Sequence, residues 1–224
     1  EPLYIYGPPR IRQYVEQTLR VLDIYINYEI VIHEFYDDEV VMQAEGYRVD
    51  SLRLRHTKPC LGYRLVEEPR PGQFHPERAI ETGVARGPDW SALQRGESVR
   101  LPSGVVVTPQ DVMGPIRSGR TFSFVTDTAA FPGLTPFVSG SDLLICEGMF
   151  CADLTSDANS KKHLTAQQAG RIASQAGVRR MGLIHYSPRY TERDLRQLVS
   201  EARAEFSESF LTRDLLDVSV PYQD

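Results

Sequence analysis

His56, Asp127, His163 and His185 each stand next to an apolar, strand-like run, where a strand delivers a side chain into a cleft. Thr126-Asp127-Thr128 follows Phe122 to Val125, His185 follows Met181 to Ile184, and His56 lies just ahead of Cys60-Leu61-Gly62-Tyr63-Arg64-Leu65-Val66. Imidazole nitrogens and carboxylate oxygens are ligands for zinc. Four such residues at the ends of apolar runs predict a hydrolytic metal site.

Each residue also has a plainer reading. Asp127 at a strand end can bridge two cations, or it can serve as a turn or cap aspartate. His185 can ligate through one nitrogen while the other is tied to an acceptor, or it can be a satisfied core histidine. His163 precedes Thr165, a helix cap that places the imidazole at the positive end of a helix. That position suits proton transfer or phosphate contact, and equally a surface capping role. Glu147, ending the run Leu143 to Cys146, could orient His163. His33 and His75 lack a supporting motif and are read as structural. Cys60, Cys146 and Cys151 have no paired spacing, so neither a disulfide framework nor a thiolate zinc site is expected.

The chain has 224 residues, 41% of them hydrophobic, and a formal charge of −5. That is enough for one packed domain with an insertion. It excludes a chain that coats nucleic acid indiscriminately, so a nucleic-acid partner must be held by local basic patches. Lysine occurs only at 58, 161 and 162. No apolar run approaches the roughly 20 residues of a membrane span, and the expected location is cytoplasmic. Glu1-Pro2 runs straight into the strand-like Leu3 to Gly7, the opening expected of a chain that starts within a domain.

The positioning elements follow from periodicity. A strand at Leu3 to Gly7 leads through Gly7-Pro8-Pro9 into a helix with Ile11, Val15, Leu19 and Leu22 on one face. Tyr28 to Phe35 reads as a strand, Asp37-Asp38 as a turn, and Val40 to Met42 and Tyr47 to Leu54 as further strands. Residues 67–119 are broken repeatedly by Pro and Gly and read as an excursion from the core. A short helical piece is expected near Glu77 to Glu81 and a hairpin about Ser103-Gly104. Strands at 122–126, 143–146, 181–184 and 215–220 alternate with helices at 165–176 and 191–206, which predicts an α/β layered sandwich.

Taken together, these residues resemble the ribonuclease Z family, transfer-RNA 3′-processing endonucleases of the metallo-β-lactamase superfamily. The likeness rests on Pro2 to Pro8, His56 to Leu65, Asp127-Thr128, His163-Leu164-Thr165-Ala166 and His185 to Tyr190. It implies an αββα sandwich over residues 1–224, incomplete at its N-terminus, with an inserted flexible arm at 67–119 that binds transfer RNA. In that arm, Gly87 and Pro88 would shape the tip, and Arg86 and Arg95 would contact phosphates. The likeness also implies two zinc ions, His56 on one, His185 on the other and Asp127 between them. A hydroxide shared by the ions would attack phosphorus and leave a 3′-hydroxyl, with His163 assisting. Precursor transfer RNA and a second copy of the chain are the implied partners.

The family's His-x-His-x-Asp-His motif is absent from these residues. Three ligands cannot complete two zinc shells of about four each, so these 224 residues alone are expected to hold little or no zinc and not to cleave RNA. Thr126 stands where many relatives have Gly, and Glu147-Gly148-Met149-Phe150 replaces a commoner Glu-Ala-Thr pattern. Two other readings stay open: a hydrolase of small phosphodiesters or sulfate esters on the same fold, and a non-catalytic RNA-binding or dimer-scaffold piece.

Overall fold

The computed structural model describes residues 1–36 and 39–223. The turn expected at Asp37-Asp38 lies outside the described residues. The chain divides into two compact units, one formed by Glu1–Val66 with Arg120–Val220 and the other centred on Glu67–Gly119.

The first unit opens with β1 (Leu3–Gly7), α1 (Ile11–Val21) and β2 (Ile30–Glu34), and β1 and β2 pair in parallel as a small sheet of their own. β3 (Val40–Ala44), β4 (Tyr47–Arg53) and β5 (Leu61–Glu67) then run into the second unit. There α2 (Pro76–Glu81), α3 (Pro88–Gln94), β6 (Val99–Arg100), β7 (Val106–Val107) and α4 (Pro109–Val112) pack around buried Ala79, Val84, Leu93, Val107 and Val112. β6 and β7 form an antiparallel hairpin. Tyr222 joins this unit, with the Arg70 guanidinium 3.5 Å over its ring.

Two of the three helices here were not expected from the sequence. Both carry a start signal that the Pro and Gly content obscures. Pro88 follows the N-cap Gly87, and Pro109 follows Thr108, which forms a reciprocal capping box with Asp111. Proline at the first helical position gives up an N–H that has no helical partner anyway.

The chain returns through β8 (Thr121–Val125), α5 (Leu134–Phe137), β9 (Leu143–Glu147), α6 (Thr155–Lys161), α7 (Ala166–Gln175), β10 (Met181–Ile184), α8 (Glu192–Glu205) and β11 (Ser209–Leu211). The main sheet has seven strands in the order β11-β10-β9-β8-β5-β4-β3. Strands β8 to β11 are parallel because each is joined to the next through helix, whereas β3 with β4 and β5 with β8 are antiparallel. Leu144, Met181 and Leu183 of the sheet pack with Ala169 and Ala173 of α7 and Leu198 and Ala202 of α8.

The last strand was expected at 215–220 and lies instead at Ser209–Leu211. The free edge of β10 takes its partner directly after α8, with Met181 opposite Ser209. Leu215 is then fully exposed and in the left-handed region (φ 62°), a conformation that ends strand pairing. Among the described residues no helix is long and apolar enough to cross a membrane.

Candidate metal centre

In sheets of this kind, ligands collect outside the carboxyl ends of the parallel strands. Asp127 follows β8, Glu147 ends β9 and His185 follows β10. His56 comes from the loop between β4 and β5, and His163 from the turn before α7. The structure brings all five together.

The loop after β8 is stitched to the loop that carries His56. The Arg55 N–H donates to Thr128 Oγ1 at 3.1 Å, and the Ala129 N–H donates to the Arg55 carbonyl at 3.0 Å. Asp127 is thereby held between two imidazoles: Oδ2 is 3.8 Å from His56 Nε2, and Oδ1 is 3.4 Å from His185 Nδ1. His56 Nδ1 donates to the Lys162 carbonyl at 3.1 Å, which leaves the lone pair on Nε2, toward Asp127.

Glu147 has no exposed side-chain surface. Its carboxylate accepts from the Thr128 backbone N–H and from His163 Nδ1, the latter at 3.1 Å. These bonds compensate a buried charge that would otherwise be costly. The His163 ring lies between those of His56 and His185, at centroid distances of 4.8 and 5.2 Å. Thr165 caps α7 through the Gln168 N–H, and Gln168 bonds back to the Thr165 N–H. This capping box fixes the turn from which His163 projects.

His185 adopts φ 61°, rare for a residue with a Cβ and costing about 1–2 kcal/mol. The turn is held by Gly148 N–H donating to the Ile184 carbonyl and Ser187 N–H donating to the Met149 carbonyl. Strain at such a position is characteristic of a side chain aimed at a ligand.

Electrostatics follow from these contacts. Glu147 chiefly, with Asp127, raises the His185 pKa above its ordinary value against the cost of burial. Burial works against ionised Asp127, but the Thr126 hydroxyl, His185 and His56 outweigh it and hold the carboxyl below its usual range. Burial, with Asp127 adding to it, pushes the Cys60 thiol up to about 11, and burial also raises Cys146. Both cysteines therefore stay protonated at neutral pH.

Among the described residues, two groups each have three ligand atoms within 4.8 Å of one another: His56 with Asp127 and His163, and Glu147 with His163 and His185. The donor chemistry fits a borderline cation such as zinc. His33 and His75 lie in neither group. His33 stacks on Tyr6 at 4.9 Å, and His75 pairs with Glu77 at 3.0 Å. In the second unit Arg86 is exposed, Gly87 and Pro88 start α3, and Arg95 is paired with Glu97 at 3.0 Å.

Residues 72–186 match a family described as a beta-lactamase superfamily domain. The chain is 49% identical over 224 residues to Ribonuclease Z of Treponema denticola, covering all of this chain and 73% of that protein. It is 37% identical over 220 residues to Ribonuclease Z of Borreliella burgdorferi, covering 96% of this chain and 69% of that one. Human tRNase Z, short form, superposes with a TM-score of 0.64 at 19% identity over 98% of this chain and 68% of its own length. The metallo-beta-lactamase fold protein YhfI of Bacillus subtilis gives 0.57 at 21% identity, over 94% and 62%.

Proposed function

This chain belongs to the ribonuclease Z family of the metallo-β-lactamase superfamily, and from that we propose that its protein is a zinc-dependent endoribonuclease that trims precursor transfer RNA at the 3′ end. The observation that carries the reading is Asp127, one oxygen toward His56 and the other toward His185, at the mouth of the parallel strands.

His56, Asp127 and His185 would hold two metal ions, with His163 and Glu147 beside them. When bound, such a pair lowers the pKa of water and offsets the negative charge of a phosphodiester. These three donors fall short of two shells of about four ligands each, so full loading with two ions draws on further donors.

The remaining chemistry belongs to the side chains of this chain. Glu147 fixes His163 with Nδ1–H facing the carboxylate, so Nε2 is the atom that meets substrate. In hydrolysis the water oxygen bonds to phosphorus as the P–O3′ bond breaks, and His163 Nε2 accepts the proton the attacking water gives up and passes it to O3′. The product transfer RNA then ends in a 3′-hydroxyl and the trailer carries the phosphate.

We assign residues 67–119 to recognition of transfer RNA away from the cleaved bond, with Arg86 and Arg95 as phosphate contacts on either side of α3. Gly87 and Pro88 set that helix's start. A homodimer in which one subunit's 67–119 segment serves the other's active site is part of the proposal.

The test is cleavage of a precursor transfer RNA with a 3′ trailer by the whole protein, before and after chelation. Loss of cleavage on chelation, recovery with zinc and a 3′-hydroxyl product are expected. Cleavage unaffected by chelation, or a cyclic phosphate product, would overturn it.

A further inference from the structure

Beside the metal centre, in the first unit, lies a cavity of about 1090 Å³ lined by residues 52–56, 129–133, Asn159 and Lys162. His56 is among its lining residues. No carboxylate occurs among the described residues that line it, in a chain whose formal charge is −5. The Arg55 guanidinium lies 4.8 Å from the centroid of the Phe131 ring. Among the described residues no carboxylate pairs with Arg55, while Arg53 is engaged by Tyr36.

Phe131 is held against its own loop. A Cβ at Gly133 would come within 2.7 Å of Phe131 Cε2, so the glycine leaves room for that side of the ring. The carbonyl of Lys162 is fixed by His56, and Lys162 is an exposed residue that lines the cavity. All three lysines of the chain, Lys58, Lys161 and Lys162, fall within two residues of His56 or His163.

An aromatic face with an arginine on it takes a nucleobase of any identity, and a nearby ammonium takes a phosphate as a point charge. The volume is ample for one nucleotide. We propose that this cavity seats the single-stranded nucleotide next to the cleaved phosphodiester, its base on the Arg55 and Phe131 pair and its phosphate on Lys162. The proposal rests on the endoribonuclease reading and adds to it the positioning residues for the strand at the cut.

The experiment uses the whole protein, metal-depleted so that RNA is bound but not cut, and precursor transfer RNAs carrying 2-aminopurine on either side of the cleavage site. One of the two labels is expected to be quenched by stacking when bound. Phe131→Leu should abolish that quench, and Arg55→Gln should weaken binding of the strand about tenfold. Lys162→Asn, which tolerates the left-handed backbone of this residue (φ 59°), should reduce the salt slope of binding by about 0.7. In the metal-loaded protein the same variants should raise KM more than they lower kcat. Urea midpoints of the variants serve as the control for folding.

Quenching that survives Phe131→Leu, or binding and salt slope unchanged in all three variants, would overturn the cavity assignment. If the RNA is cleaved by the loaded wild type, that result leaves the endoribonuclease reading intact. If the wild type neither binds nor cleaves the precursor, both readings fail together.

Discussion

The carboxylate of Glu147, wholly buried, accepts a hydrogen bond from His163 Nδ1 at 3.1 Å while also receiving the Thr128 backbone N–H. One side chain thus sets both the His163 tautomer and the path of the loop that carries Asp127. Glu147→Ala should leave the two buried donors unpaired, at about 1–3 kcal/mol each. Glu147→Gln should keep the fold but lower kcat by about 10–100-fold, the usual effect of losing a partner that orients a site histidine. Urea unfolding and steady-state cleavage check the pair. A Glu147→Gln enzyme with normal kcat would contradict this role.

Gly170 of α7 meets α8 at very close range. A Cβ there would stand 2.5 Å from the Ala202 carbonyl oxygen and 3.1 Å from its Cα. Gly170→Ala gains about 1 kcal/mol of helix propensity but forces the helices apart, and overpacking typically costs about 1–3 kcal/mol. The expected result is a lower urea midpoint. A higher one would mean that α7 and α8 separate freely.

The metal-free protein should have a bell-shaped stability profile around the site. Asp127 has a folded pKa below its unfolded value of about 3.9, so its contribution is present above that pH and is lost as pH falls through the folded value. His185 has a folded pKa above about 6.5, so its contribution is complete below that pH and is lost as pH rises through the folded value. Urea midpoints in chelator should therefore decline as pH rises past about 6.5, and His185→Asn should flatten that limb. Asparagine accepts the left-handed backbone of position 185. An unaltered alkaline limb in His185→Asn would contradict the assignment.

Legibility in the sequence varied with how local the cause was. His56, Asp127 and His185 were visible because strand-like runs announce where a side chain is delivered, and the helix after His163 was visible because Thr165 reads as its cap, to which the structure adds Gln168 as the reciprocal partner. The pairing of Glu147 with His163 could only be guessed, since it spans two elements that meet through the sheet order. The Arg55 and Phe131 pair gave no signal, being joined by the hydrogen bonds between Arg55 and Thr128-Ala129. At the C-terminal end, an alternating run at 215–220 read as a strand, but the edge of β10 was already taken by Ser209–Leu211. Hydrophobic alternation does not report which edge remains free.

Asp127, set between His56 and His185, should be indispensable to phosphodiester cleavage and dispensable for RNA binding. The direct measurement is single-turnover cleavage of a precursor transfer RNA by the zinc-loaded whole protein and its Asp127→Asn variant, with RNA affinity measured alongside. We expect cleavage by the variant to fall below detection while its affinity for the RNA matches that of the wild type. An Asp127→Asn protein that cuts the precursor at the wild-type rate would mean that Asp127 is not part of the cleavage centre.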